Sequence, residues 1–150
     1  LGTFPSIYLA AIREKLLKRL GVKPKSDTQD DALLTHLNEF MAQENFPYEQ
    51  FFFDWYGGAA SAERAAQSPN AHRYKKASYQ PLKDALMSYQ PANPQALNTA
   101  YFLGDGPETL LIEEVEALWA PIAEKDDWAP LYAKIDRIRE MGAALKGPSD

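Results

Sequence analysis

Few residues in this 150-residue chain have the type and spacing that chemistry requires. Cysteine is absent, which removes thiol nucleophiles, disulfides, zinc ribbons and cysteine-ligated clusters together. The two histidines, His36 and His72, stand without further ligands at metal-site spacing, so each reads as a packed or surface residue. Glu113, Glu114, Glu116, Glu124, Asp126 and Asp127 are numerous enough for general acid and base work. Their places on the wet side of a helix or at its ends fit dipole and capping roles better. Two glycine pairs approach a phosphate cradle, Gly57-Gly58-Ala59-Ala60-Ser61 and Gly104-Asp105-Gly106-Pro107. Neither ends in the Lys-Ser or Lys-Thr of a P-loop, so both read as helix stops or turns. The basic run His72-Arg73-Tyr74-Lys75-Lys76 is one short patch in a chain of net charge -5, and reads as solvated surface. No catalytic, cofactor-binding or metal-ligating residue is therefore assigned.

One local feature is unusual. Phe46, Tyr48, Phe51, Phe52, Phe53, Trp55 and Tyr56 exceed what a single helix face can hide. They form either a thick core or an anchoring surface for another domain. Tyr48, Phe52, Trp55 and the later Trp119 are the candidate anchors, tryptophan and tyrosine being frequent interface hot spots.

The elements that position these residues read as helices. Valine occurs only at Val22 and Val115, whereas leucine, alanine, glutamate and lysine recur throughout. Leu9, Ile12, Leu16 and Leu20 step along one face, and Gly21 suits the stop. Ser26 and Gln29 have capping-box spacing ahead of a second face, Leu33, Leu34, Leu37, Phe40 and Met41. Pro47 opens a third helix through the aromatic block, with Gly57-Gly58 ending it. Ser68-Pro69, Asn93-Pro94 and Gly106-Pro107 pair a cap with a first-turn proline and mark further starts, and a short helix follows Pro81. The clearest stripe is Leu111, Val115, Leu118, Trp119 and Ile122, in a helix that Pro121 should kink or break. After Asp126-Asp127, residues Trp128, Leu131, Ile135 and Ile138 form another face down to Met141 and Gly142, with a frayed tail from Lys146 to Asp150. The expectation is a single all-α domain over residues 1–150, an irregular array or bundle of about six to seven helices with no sheet.

Hydrophobic residues at 45% and charged residues at 25% are those of an ordinary globular chain, without an apolar run long enough to span a membrane. The acidic balance speaks against nucleic-acid and anionic-membrane partners. Leu1-Gly2-Thr3-Phe4-Pro5 is no signal peptide, which with the missing cysteines fits the cytoplasm. Leu1 stands where a complete gene product begins with methionine, so a C-terminal fragment of a longer protein is expected.

Leu17-Lys18-Arg19-Leu20-Gly21-Val22, the helix ending Glu39-Phe40-Met41-Ala42-Gln43-Glu44, and Tyr48 followed by Phe52 are together similar to the C-terminal region of the SelO/YdiU family. The likeness continues through Asn93-Pro94 and Ala123-Glu124-Lys125-Asp126-Asp127 ahead of Leu131. Pro47, Glu49 and Phe53 replace the family's aspartate, threonine and arginine around Tyr48, marking a divergent branch. The resemblance implies a parent protein with a kinase-like fold that transfers AMP from ATP to protein hydroxyl groups with divalent metal such as magnesium. Glycine-rich loop, phosphate lysine and metal-binding Asp and Asn are not recognisable here, so no active-site residue carries over. The chain then reads as a non-catalytic helical module, needing no cofactor itself, that packs on or regulates the kinase-like core. An independent helical interaction domain is the alternative.

Overall fold

The computed structural model describes residues 3–146, and among them the chain forms seven α-helices and no strand. They are α1 (Thr3–Leu20), α2 (Asp27–Glu44), α3 (Tyr48–Asp54), α4 (Ala62–Gln67), α5 (Gln80–Leu86), α6 (Ile112–Lys125) and α7 (Ala129–Leu145). Short 3₁₀ turns at Gly58–Ser61, Arg73–Lys75, Ala77–Tyr79 and Pro94–Asn98 fill much of the middle. The all-α expectation holds; the tail at 147–150 lies outside the described residues.

α2 is the spine, and its local signals act as read. The Ser26 hydroxyl accepts from the Gln29 amide at 3.3 Å, and Gln29 reaches back to the Ser26 backbone. Leu33, Leu34, Leu37, Phe40 and Met41 are all buried. Against them pack Leu17 and Leu20 of α1, Phe51 and Phe52 of α3, and Leu82 and Leu86 of α5. The α1 face is rotated from the expected one: Leu17 is buried, Ile12 and Leu16 are half-buried and Leu9 is exposed.

Three chain segments meet at one point beside this core. Lys23 N–H donates to Gln90 O (2.9 Å), Ala92 N–H to Gly21 O (2.8 Å), Gly57 N–H to Leu20 O (2.7 Å) and Ala59 N–H to Tyr89 O (3.1 Å). The approach requires glycine twice. Gly21 has φ +62° and a Cβ there would enter the Tyr56 ring, while Gly58 has φ +63° and a Cβ would lie 2.7 Å from the Tyr89 carbonyl oxygen.

A smaller apolar cluster, Phe53, Tyr56, Ala96, Phe102 and Ala144, joins α3 to the end of α7. Arg64 of α4 braces this smaller cluster. Its guanidinium donates to Phe53 O (3.0 Å) and Tyr56 O (2.8 Å) and lies 4.8 Å from the Phe102 ring centre.

Several expected boundaries move. α3 stops at Asp54, so Trp55 and Tyr56 sit in the following turn rather than in the helix. Ser68-Pro69 follows the end of α4 instead of opening a helix, because Ser68 is already extended (ψ 145°), as a residue before proline prefers. After Gly106-Pro107 no helix begins until Ile112. α6 runs through Pro121 unbroken. One turn back Ala117 is exposed, so water can take the carbonyl that the missing amide leaves free.

Candidate docking surface

The four candidate anchors separate into two pairs. Trp55 and Phe52 are 3% and 5% exposed and belong to the main core, where they have no surface to offer a partner. The aromatic block is therefore chiefly core. Tyr48 lies exposed at the start of α3, with its ring stacked on Phe52 at 6.5 Å. Trp119 is 61% exposed on α6.

Trp119 is not alone. Ile112, Val115 and Trp119 step by three and four along α6, the spacing of one helical face, and all are exposed, Ile112 at 75%. Leu110 and Leu111 lead into this stripe, and only Ile122 at its far end is buried. Trp128, just before α7, and Tyr132 within it add a further exposed aromatic pair. The most regular apolar pattern in the chain thus faces outward, whereas globular chains normally turn such a stripe into their own core.

α6 and α7 are clamped in place by charge. Lys134 is buried in the apolar face of α7, and its ammonium reaches Glu108 at 2.7 Å and Glu114 at 3.4 Å; Arg137 adds Glu108 at 3.0 Å. Glu114 also accepts from the Leu111 amide (2.9 Å) and the Thr109 hydroxyl (2.8 Å), capping α6, and these bonds hold its pKa below the ordinary glutamate value. Asp126 accepts from the Trp128 indole and Asp127 from the Ala129 amide. Of the surface carboxylates, Glu114, Asp126 and Asp127 thus serve local structure.

The basic run closes the C-terminal end of α2. Arg73 donates to the carbonyls of Glu44 (3.2 Å) and Asn45 (3.4 Å), and Lys76 pairs with the Glu44 carboxylate. Its arginine is therefore structural, while His72, Lys75 and Lys76 remain exposed.

Two buried acids carry no assignment from the sequence. Asp30 accepts from Tyr89 Oη at 2.6 Å and from the Lys25 amide. Asp54 accepts from Gln50 Nε2 at 2.8 Å and from Tyr74 Oη at 2.7 Å. Burial pushes the Asp54 pKa up, opposed by hydrogen bonds from Ser68, Tyr74 and Gln50 and by the Arg64 charge. An acid flanked by Phe51, Phe52, Phe53, Trp55 and Tyr56 was the available signal for a buried carboxylate. For Lys134 it was a cation on the face defined by Leu131, Ile135 and Ile138.

The glycine segments bear on the ATP and magnesium that the resemblance implies. The amides of Gly57, Gly58, Ala59 and Gly104 are spent on backbone carbonyls of the fold, so these four are not free to cradle a phosphate. Among the described residues no three or more His, Asp or Glu converge as metal ligands, and no helix is long and apolar enough to cross a membrane.

A family model described as "Protein adenylyltransferase SelO" matches residues 1–139. The chain is also similar to "Protein nucleotidyltransferase YdiU" of Trichormus variabilis, at 22% identity over 158 aligned residues that cover 95% of this chain and 32% of that protein. It thus spans about a third of that relative's length. No solved structure matches it.

Proposed function

The chain belongs to the SelO family, and on that premise we propose that it is the non-catalytic, C-terminal helical module of a cytoplasmic enzyme that transfers AMP from ATP to protein hydroxyl groups. It packs through α6 on the kinase-like core of the same parent protein. The observation that carries this reading is the outward stripe Ile112, Val115 and Trp119, an apolar face that needs a cover. The clamp of Lys134 on Glu108 and Glu114 supports it by presenting that face on a fixed hairpin rather than a loose tail. ATP and magnesium then belong to the core, which fits the engagement of the Gly57, Gly58 and Gly104 amides within this fold.

The test has two arms. The chain alone, given ATP, magnesium and an acceptor protein, is expected to show neither saturable nucleotide binding nor AMP transfer. Mixed with a separately produced SelO-family kinase-like core, it is expected to associate, and Val115→Asp with Trp119→Asp to weaken that association tenfold or more. Transfer by the chain alone, or association indifferent to the double substitution, refutes the reading.

A further inference from the structure

The exposed stripe of α6 is one edge of a wider face. At about 100° of rotation per residue, Glu114, Leu118 and Ile122 share one side of α6. That side meets α7, since Glu114 reaches Lys134 and Ile122 is the buried residue of the helix. Ile112, Val115 and Trp119 are centred about a quarter-turn around the axis from it. On α7 the inner side is Leu131, Lys134 and Ile138, all buried or half-buried. Trp128 and Tyr132 again stand about a quarter-turn away, and Trp128 shares the winding of α7 because its carbonyl accepts the Tyr132 amide at 3.1 Å. The two displacements have the same rotational sense. α6 and α7 fold back on each other across residues 126–128, with Lys134 reaching Glu114 in the first turn of α6, so both sets come to one side of the hairpin. The face is therefore two helices wide, with Ile112, Val115 and Trp119 along one edge, Trp128 and Tyr132 along the other, and every one exposed.

The charge at its margin is of one sign. Glu113, Glu116 and Glu124 are exposed on the side of α6 turned from α7, and among the described residues none makes an ion pair or hydrogen bond. Lys125, the one cation of α6, falls on the α7 side at the helix end. Arg139, on the Tyr132 side of α7, is already paired with Asp136 at 3.2 Å. By contrast, the acids beside α1 and α2 are answered: Asp27 and Asp31 by Arg13, and Glu44 by Lys76. Whatever covers the apolar face brings these free carboxylates to its own edge, where Lys or Arg favours the contact and a like charge opposes it. Two packed helices leave a furrow that a third fills by ridges into grooves, anchored at i, i+3, i+4 and i+7. An anionic membrane surface, which attracts basic segments, is repelled by the same acids.

We infer that the element covering α6 is an amphipathic helix whose apolar stripe is flanked by Lys or Arg, seated along the furrow between α6 and α7. The inference rests on the docking reading above in taking this face as the covered one, and adds the chemistry of its cover.

Two model peptides of about 18 residues, long enough to hold a helix, test it. They share one leucine stripe and differ only in its flanks, lysine in one and glutamate in the other. Calorimetric titration into the chain is expected to show saturable one-to-one binding of the lysine peptide, tenfold or more tighter than that of the glutamate peptide at low salt. Val115→Asp with Trp119→Asp is expected to abolish it. Glu113→Lys with Glu116→Lys is expected to weaken it tenfold or more with the thermal midpoint unchanged, because neither carboxylate bonds to the fold. Equal affinity for the two peptides, no binding up to millimolar peptide, or lysine-peptide binding indifferent to either double substitution overturns the inference. The peptides contain no kinase-like core, so such a failure is distinct from loss of association with that core, which is measured separately and refutes the docking reading itself.

Discussion

The hydroxyl of Tyr74 donates a 2.7 Å hydrogen bond to Oδ2 of Asp54, tying the turn after α4 to the last residue of α3 across twenty positions of sequence. Asp54 is 1% exposed, so this bond and the one from Gln50 replace water for a group that burial makes costly to ionise. Tyr74→Phe keeps the ring contacts with Phe46, Phe51 and Trp55 and removes only the donor. A loss of about 1–3 kcal/mol in urea unfolding is expected, the usual cost of stranding one partner of a buried hydrogen bond. A loss indistinguishable from zero would mean that water reaches Asp54.

The pH dependence of stability should carry two opposite signatures. Asp54 has its pKa raised by burial, so the folded state holds that proton more tightly than the unfolded chain does. Its stabilising contribution is present below the unfolded value of 3.8 and is lost as pH rises through the raised folded value. Glu44 has its pKa lowered, first by the hydrogen bond to Lys76 and then by that to Ser78. Its contribution is present above the unfolded value of 4.5 and is lost as pH falls through the lower folded value. With increasing pH, the stability difference between the natural chain and Asp54→Asn should shrink, and that with Glu44→Gln should grow. Denaturant midpoints measured from pH 3 to 7 decide both signs.

How far the sequence revealed this arrangement depends on whether a signal was local. The capping box at Ser26 and Gln29, the α2 face and the stop at Gly21 were legible, because each follows from neighbours within one or two turns. The proline pairs at Ser68-Pro69 and Gly106-Pro107 misled, since a proline that can start a helix also suits the extended chain. Periodicity placed Leu111, Val115 and Trp119 on one face, but which way that face looks is a tertiary fact, and it looks outward. The same limit applies to the aromatic block: composition raised core and docking alike, and only the packing of α2 and α5 around Phe51, Phe52 and Trp55 put those rings inside.

Where segments 20–23, 57–59 and 89–92 converge, glycine substitutions should act through backbone rather than side chain. Gly58→Ala introduces a methyl 2.7 Å from the Tyr89 carbonyl oxygen at a φ of +63°, and backbone atoms cannot step aside as a flexible side chain can. The left-handed conformation alone costs a non-glycine residue about 1–2 kcal/mol, and the contact adds to it. Gly142→Ala is the control, since a Cβ there meets nothing within 4 Å and alanine favours helix. Thermal unfolding of the pair is expected to show a marked loss for Gly58→Ala and no loss for Gly142→Ala; equal behaviour would refute the convergence as a constraint.

Two tryptophans of one chain should give opposite results when truncated, and that contrast bears on the whole reading of α6. Trp55 is 3% exposed among Tyr74 and Tyr79, so Trp55→Ala opens a cavity in the main core, at about 3–5 kcal/mol. Trp119 is 61% exposed on a helix whose own packing rests on Ile122 and the Lys134 clamp. Trp119→Ser in the chain by itself should shift stability by no more than about 0.5 kcal/mol, as for an ordinary surface site. Should urea unfolding instead show a cost of several kcal/mol for Trp119→Ser, its ring would be packed within this chain, and α6 would have no free face to cover.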